Sequence, residues 1–223
     1  TRVLRARDID LRPFRVEEVD EALGERLSTT IFDGPDEELR LTRNTQPALM
    51  AMSVAVIRVI ESESGRKIAE LADAVAGHSL GEYTALCAVN AFSLTDTAKL
   101  LRLRGIAMQD AVPIGVGGMA ALLGSDIETA QKLAEEAAGG QVCEIANDND
   151  PSQVVLSGHA QAIDRVLDLA KEHGVKRAIK IAVSAPFHCS LMQPAAQRMK
   201  IALDNTSPSA MDLPLYANVT AAK

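Results

Sequence analysis

Hydrophobic and polar positions along the chain predict helices alternating with short strands. The acidic, apolar-periodic stretch from Val16 to Leu27 predicts a surface helix. The almost wholly apolar run from Ala48 to Ile60 predicts a buried helix that ends before Gly65. Pro47 is expected in the first turn of that helix, where a missing N–H is tolerated. Residues 1–15 are rich in arginine and carry no pattern that assigns them to an element.

The next stretch predicts a strand, a glycine-containing turn and two helices. Leu71 to Ala76 is a short apolar run typical of a buried strand, and it leads directly into Gly77-His78-Ser79-Leu80-Gly81. Helical periodicity resumes from Glu82 to Ala91 and again from Thr95 to Gln109. Strands and helices that alternate in this way indicate an α/β protein.

After Pro113 the pattern predicts six elements in the order β-α-β-β-α-β, which is that of a ferredoxin-like unit. We therefore predict a ferredoxin-like small subdomain at 117–184, inserted into a larger α/β body made of 1–116 and 185–223. A turn is expected at Asn147 to Pro151. The strands are predicted at Met119–Leu123, Gln141–Ala146, Gln153–Leu156 and Arg177–Val183, and the helices at Asp126–Ala138 and Ala160–His173.

Composition and charge exclude several function classes. The 223 residues are 47% hydrophobic and 24% charged, as in ordinary globular proteins. A net charge of −7, 3% aromatic residues and no Trp disfavour nucleic-acid binding, which needs basic patches and stacking surfaces. No apolar run approaches the length of about 18 residues that a membrane-spanning helix needs. The N-terminus lacks the apolar core of a secretory signal. The cysteines form no CxxC pair and no metal-ligand spacing with histidine, so we expect a reducing, cytoplasmic location and no metal.

The strongest chemical signal is the GxSxG sequence around Ser79. A serine on a sharp strand-to-helix turn projects from the sheet, and its flanking glycines allow close backbone approach. The N–H of Leu80, at the start of the next helix, is placed to donate to an oxyanion. The alternative is a turn that uses its glycines only for packing. The flanking strand and helix favour the catalytic interpretation.

A nucleophilic serine needs a base, and the chain has four histidines. His173 at a helix end is predicted to be a solvated cap and His159 at a helix start to be structural, while the side chain of His78 is expected to point away from Ser79. His188 follows a strand in a loop, where functional groups commonly lie. It is therefore the best candidate base, although its position alone does not distinguish it from an ordinary loop histidine.

Arg104 is predicted to project from the apolar face of its helix, whereas Lys99 and Arg102 are expected to face water. A buried guanidinium needs an anionic partner, and its planar fork suits a carboxylate. Two partners stay open: an Asp or Glu of the chain, which is the commoner case, or a carboxylate on the substrate. The residues that define the apolar face are Leu100, Leu101, Ala107 and Met108.

Several segments, in a consistent order, carry a family resemblance. They are Thr45–Leu49, Gly77–Leu86, Arg102–Gly105, Met108-Gln109, Gly118–Ala121, Gln153–His159 and Ser184–Cys189. From about Val16 to the C-terminus the chain resembles the malonyl-CoA:acyl carrier protein transacylases, the malonyl-loading acyltransferases of type II fatty acid synthesis. More distantly, it is similar to the acyltransferase domains of polyketide and animal fatty acid synthases.

The resemblance implies an α/β-hydrolase-like body with a ferredoxin-like small subdomain. It implies transfer of a malonyl group from malonyl-CoA to the phosphopantetheine thiol of acyl carrier protein, through a malonyl-serine intermediate and without a cofactor. We expect a monomer with no nucleic-acid or membrane partner. Phe187 fits the family's tendency for malonyl over methylmalonyl selection. The implied roles are Ser79 as nucleophile, His188 as base, Arg104 as ligand of the malonyl carboxylate, Leu80 as oxyanion donor through its N–H, and Gln46 as a residue near the pocket.

The chain departs from the family pattern at both ends. Nothing in Thr1 to Arg15 resembles the family's opening strand and its Phe-Pro-Gly-Gln-Gly-Ser-Gln segment, whose glutamine N–H is the second oxyanion donor. The chain also stops at Lys223, before the segment whose carbonyl orients the histidine. Either the chain is incomplete, or the protein is divergent or damaged; loss of one oxyanion donor costs a factor of about 100 to 1,000 in rate. A serine thioesterase or esterase, and a truncated non-catalytic relative that only binds carrier protein, stay open as alternatives.

Overall fold

A computed structural model describes residues 16–183 and 185–223, and their elements form a mixed α/β protein. Contacts divide the chain into two compact units, one running to residue 106 and including 199–223, the other comprising 107–198. The predicted subdomain at 117–184 lies within the second unit. The arginine-rich stretch that precedes Val16 lies outside the described residues.

The described elements follow one another in this order. The chain begins with helices α1 (Glu17–Leu23), α2 (Leu27–Asp33), α3 (Asp36–Arg40) and α4 (Thr42–Ser64), then strand β1 (Val75–Ala76) and helices α5 (Leu80–Ala88) and α6 (Leu94–Asp110). It continues with β2 (Gly117–Leu123), α7 (Ile127–Ala138), β3 (Cys143–Asp150), β4 (Gln153–His159), α8 (Ala160–Leu169), β5 (Arg177–Ile181), α9 (Gln193–Asp204) and β6 (Leu215–Tyr216). Short 3₁₀ turns lie at Ile68–Glu70 and Ser190–Met192.

Helices build the core of the first unit. The predicted helix from Val16 to Leu27 is instead two helices, since α1 ends at Leu23 and α2 begins at Leu27. The break comes at Gly24, which ends α1 with a left-handed φ of 68°. The carboxylate of Asp20 then accepts from the backbone N–H and the hydroxyl of Ser28, in the first turn of α2, at 2.8 and 2.5 Å. The buried residues of this core include Val19, Leu27, Ile31, Met50, Ala55 and Leu101.

The long helix α4 begins five residues before Pro47, so the prediction that places this proline in the first turn is wrong. A proline inside a helix cannot donate to the carbonyl four residues earlier, which here belongs to Arg43. The guanidinium of Arg102 donates to that carbonyl at 2.6 Å. Arg102 also pairs with Glu25 at 2.6 Å, and its side chain is only 13% exposed. The expectation that Arg102 faces water is therefore wrong, whereas Lys99 is exposed as predicted.

One face of α4 is buried, so the prediction of a buried helix holds for that face only. Leu49, Val56 and Ile60 are 48%, 39% and 43% exposed and lie along the opposite face. Helical periodicity explains the difference, because a single helix presents only one stripe to a core. As predicted, the helix ends before Gly65.

Strand β1 is much shorter than the predicted strand from Leu71 to Ala76. The first residues of the predicted strand belong to the end of a 3₁₀ turn, because the N–H of Ala72 donates to the carbonyl of Ile68 at 3.1 Å. Only Val75 and Ala76 pair with another strand, and they do so in parallel with Leu215 and Tyr216 of β6. Strand β1 ends directly before the GxSxG turn.

The second unit contains a four-stranded sheet with the order β3-β4-β2-β5, in which every neighbouring pair is antiparallel. Helices α7 and α8 pack on one face of it. The buried residues between helices and sheet include Leu122, Leu133, Leu156, Ile163 and Val166. The six elements follow the predicted β-α-β-β-α-β order.

Most strand and helix boundaries in this unit differ from the predictions by one to four residues. The expected turn at Asn147 to Pro151 is shorter, because Asn147 and Asp148 continue β3 and pair with Val155 and Val154. Polar residues fit there because β3 is an edge strand. Helix α8 ends at Leu169 rather than His173, since the chain turns there and the N–H of Val175 donates to the carbonyl of Ala170.

No helix among the described residues is long and apolar enough to cross a membrane.

Candidate active site

Ser79 occupies the turn between β1 and α5, in a conformation that few residues adopt. Its φ of 55° and ψ of −111° lie outside the regions open to ordinary side chains. A Cβ at Gly77 would lie 2.0 Å from the backbone of Gly81, so the turn can close this tightly only with glycine there. The predicted strand–turn–helix context of the GxSxG sequence is thus present, and strain of this kind is typical of functional positions.

Asn218, 139 residues after Ser79, forms hydrogen bonds to this turn. Its side-chain oxygen accepts from the N–H of Ser79 at 2.7 Å, and its own N–H donates to the carboxylate of Glu82 at 2.7 Å. Glu82 lies in the first turn of α5. Sequence analysis missed Asn218, because a contact across 139 residues leaves no local signal.

Arg104 lies beside the serine. Its Nη2 donates to the Oγ of Ser79 at 3.0 Å, and its Nη1 donates to the Oε1 of Gln46 at 2.6 Å. The guanidinium carbon lies 5.7 Å from the centre of the Tyr83 ring, within range of a cation–π interaction. The structure therefore brings together three of the predicted residues: Ser79, Arg104 and Gln46.

The partners of the Arg104 guanidinium are neutral groups. Within residues 16–183 and 185–223 it forms no ion pair with an Asp or Glu, while its neighbour Arg102 pairs with Glu25. Burial lowers the pKa of Arg104, although the nearby Tyr83 and Glu82 act in the opposite direction. Burial has the opposite effect on an acid, and it raises the pKa of the Tyr83 hydroxyl. A half-buried cation with neutral partners is a site where an anion is strongly favoured.

Two close backbone approaches place Gln46 next to Arg104. A Cβ at Gly105 would lie 2.5 Å from the Cα of Arg43 and 2.6 Å from the carbonyl oxygen of Thr42, so only glycine lets α6 cross α4 this closely. The Nε2 of Gln46 then donates to the hydroxyl of Thr42 at 2.9 Å. Gln46 and Thr42 are both buried.

Leu80 is the first residue of α5, so its N–H belongs to the donors that an α-helix leaves without intrahelical partners. His188 belongs to the second unit and has a φ of +61°. Two residues later, Ser190 donates to the carboxylate of Glu144 from its N–H and from its hydroxyl, each at 2.7 Å. The role of His188 as the base for Ser79 stays a prediction.

Two other histidines lie in structural contacts, although His173 lies beyond the end of α8 at Leu169 rather than at a helix end. The Nδ1 of His159 accepts from the N–H of Val142 at 3.0 Å, and the Nε2 of His173 lies 2.9 Å from the Glu136 carboxylate. His78 is exposed.

The three cysteines are free thiols. Burial raises the pKa of Cys87 and Cys189, and raises that of Cys143 to about 11. Such thiols are protonated at neutral pH and are poor nucleophiles or metal ligands. The described residues contain no group of three His, Cys, Asp or Glu side chains suited to a metal ion.

Comparison with known proteins places this geometry in a family. The profile of the acyl transferase domain family matches residues 15–223, and the chain belongs to that family. Among curated proteins, it is 45% identical over 206 residues to the malonyl CoA-acyl carrier protein transacylase of Bacillus subtilis and 43% identical over 202 residues to that of Escherichia coli. These alignments cover 92% and 91% of the chain but 63% and 64% of the relatives, so the chain spans less than two thirds of their length.

Solved structures give the same picture. The acyl-carrier-protein-S-malonyltransferase of Bartonella henselae is 51% identical, with a TM-score of 0.90 over 99% of this chain and 69% of that one. A type II polyketide malonyl-transacylase in complex with its acyl carrier protein is 38% identical, with a TM-score of 0.89 over 95% of this chain and 67% of that one. The resemblance inferred from the motifs is thereby confirmed.

Proposed function

We propose that the protein transfers a malonyl group from malonyl-CoA to the phosphopantetheine thiol of acyl carrier protein, through an ester on Ser79. The observation that carries this proposal is the contact between the Ser79 hydroxyl and the Arg104 guanidinium, 3.0 Å apart, in a setting where the cation has neutral partners. Relatives named for this activity at 43–45% identity support it.

In the proposed first step, His188 takes the proton of Ser79, whose oxygen attacks the thioester carbonyl of malonyl-CoA. The carbonyl oxygen becomes an oxyanion, which the N–H of Leu80 at the start of α5 stabilises. Collapse of this intermediate breaks the C–S bond, and the departing CoA thiolate takes the proton back from His188. A malonyl ester on Ser79 remains.

In the second step the thiol of the carrier's phosphopantetheine gives its proton to His188 and attacks the ester. The C–O bond breaks, the proton returns to Ser79, and malonyl leaves as the carrier thioester. No cofactor takes part.

Arg104 supplies the proposed selectivity. A single methylene separates the malonyl carboxylate from the carbonyl carbon bound to Ser79, so the carboxylate of the ester can reach the guanidinium. An acetyl group would leave this cation without an anion in a half-buried site, and such a mismatch strongly disfavours the wrong substrate.

We further propose an α/β-hydrolase-like body and a ferredoxin-like small subdomain at 117–184. The sheet order and the β-α-β-β-α-β sequence of the second unit support the latter class. A cytoplasmic location and a monomeric state complete the proposal.

The proposal is tested with malonyl-CoA labelled in the malonyl group, holo acyl carrier protein and the chain, with Ser79→Ala as control. Label on the carrier that disappears with Ser79→Ala is the expected result. Label released as free malonate would instead identify a hydrolase. Absence of label on both Ser79 and the carrier would indicate a relative that does not catalyse transfer.

A further inference from the structure

We propose that Thr42 determines malonyl selectivity by holding Gln46 against Arg104. This inference rests on the proposed function and adds to it a positioning residue that touches neither the substrate nor the nucleophile. A chain of three hydrogen bonds leads from the Thr42 hydroxyl through the Gln46 amide and the Arg104 guanidinium to the Ser79 hydroxyl, with lengths of 2.9, 2.6 and 3.0 Å.

The first link fixes the Gln46 side chain at both ends. Its Nε2 donates to Thr42 and its Oε1 accepts from Arg104. An arginine can only donate, so the amide oxygen has to face it and the amide NH₂ has to face an acceptor. The Thr42 hydroxyl accepts from it at 2.9 Å. Thr42 and Gln46 are 8% and 3% exposed, so water competes poorly for these bonds.

The second link orients the cation. A guanidinium is a planar fork, so a partner fixed at Nη1 also fixes the direction in which Nη2 points. With Nη1 on Gln46, Nη2 points at the Ser79 oxygen. A malonyl ester on Ser79 needs that alignment for its carboxylate, whereas an acetyl ester has no group that uses it.

The backbone fixes the starting point of this chain of bonds. Thr42 is the first residue of α4, and its carbonyl oxygen lies so close to Gly105 that a Cβ there would be only 2.6 Å away. Gly105 follows Arg104 directly on α6. The distance between the backbones of Thr42 and Arg104 is therefore set by the helix crossing, and the Gln46 amide fits between them.

The test compares the rates at which malonyl-CoA and acetyl-CoA acylate Ser79, measured as kcat/KM. Thr42→Val removes the hydroxyl at nearly constant volume, and Thr42→Ser restores it. Thr97→Val is the matched control, because Thr97 is a fully buried threonine on α6 whose hydroxyl donates to the Ser93 carbonyl at 2.8 Å and contacts the Cys87 thiol.

We expect Thr42→Val to lower malonyl acylation about five- to tenfold, the effect of one ordinary hydrogen bond, while acetyl acylation changes less than about twofold. Thr42→Ser and Thr97→Val should keep the wild-type ratio. An unchanged malonyl-to-acetyl ratio in Thr42→Val would overturn the inference; if both rates fell equally, the hydroxyl would be purely structural.

A second readout separates this inference from the proposed function. The side-chain Nε–H signal of Arg104 in a ¹H–¹⁵N NMR spectrum should shift in Thr42→Val and stay in place in Thr97→Val, whether or not the chain transfers malonyl. A wild-type chain that is not acylated by malonyl-CoA would refute the proposed function. An Arg104 signal that does not respond to Thr42→Val would refute the positioning role alone.

Discussion

Ser79 forms hydrogen bonds through both its backbone and its side chain. The backbone has a strained conformation, and its N–H donates to the side chain of Asn218. The hydroxyl oxygen accepts from Arg104. The surrounding contacts have to hold this strained conformation, which is typical of functional positions. The cation beside the hydroxyl is half-buried and has neutral partners, which is the basis of the proposal that it favours an acyl group with its own negative charge.

Replacing Arg104 by Ala should change selectivity more than overall chemistry. Loss of a charge-assisted hydrogen bond to the malonyl carboxylate should lower malonyl acylation of Ser79 about ten- to a hundredfold. Acetyl acylation should hold or rise, because no unpaired cation then opposes an uncharged acyl group. Stopped-time labelling from both thioesters measures this, with Lys99→Ala on the exposed face of α6 as control. A variant with the wild-type preference for malonyl would contradict the assigned role.

The crossing of α4 and α6 creates the arrangement around this serine. Pro47 removes one donor from α4, and Arg102 on α6 bonds to the carbonyl that is left, at 2.6 Å. Two residues further along α6, Arg104 contacts Gln46 on the same stretch of α4. Both arginines thus lie at the contact between α4 and α6. Arg102 bonds to the backbone of α4, and Arg104 bonds to the side chains of Gln46 and Ser79.

Gly105→Ala should damage this crossing. The new Cβ would lie 2.5 Å from the Cα of Arg43, and relief of that clash requires α4 and α6 to separate. Overpacking of this kind costs about 1–3 kcal/mol in the free energy of unfolding, measurable by urea denaturation.

Gly81→Ala is the matched control for that experiment. It also adds a methyl group to a helical glycine, but its Cβ would meet nothing within 4 Å. Its effect on the free energy of unfolding should be neutral or slightly stabilising. Equal stability of the two variants would show that the helices do not need the close contact at Gly105.

At the scale of the whole molecule, alkaline pH should destabilise the chain. Burial raises the pKa of Cys143 from 9.0 to about 11, and shifts those of Cys87, Cys189 and Tyr83 in the same direction. Between these two pH values the unfolded chain loses protons that the native state keeps, so the free energy of unfolding falls as pH rises from about 9 to about 11.

Urea denaturation at several pH values measures this slope, and Cys143→Ala serves as the comparison. The variant should lose less stability than the wild type over the same range, since it lacks one of the shifted groups. Identical slopes for the two proteins would contradict the assigned burial of this thiol.

How much of the molecule is predictable from its sequence depends on how local each signal is. Hydrophobic periodicity and short motifs predict the GxSxG turn, the inward face of Arg104 and the element order of the second unit, because neighbouring residues carry these signals. Partners far apart in sequence carry none. The hydrogen bond from Ser79 to Asn218 and the bond from Arg102 to the Arg43 carbonyl follow only from the folded chain, which is why the sequence alone gives the wrong position for Pro47 and Arg102.

The central claim is that Ser79 accepts a malonyl group because Arg104 holds its carboxylate. Intact-mass and peptide-mapping mass spectrometry of the chain, incubated separately with malonyl-CoA and acetyl-CoA, tests it most directly. The account predicts one malonyl group on the peptide that contains Ser79, much less acetyl, and neither on Ser79→Ala. Malonyl and acetyl groups in equal amounts on Ser79, or an adduct on another residue, would contradict it.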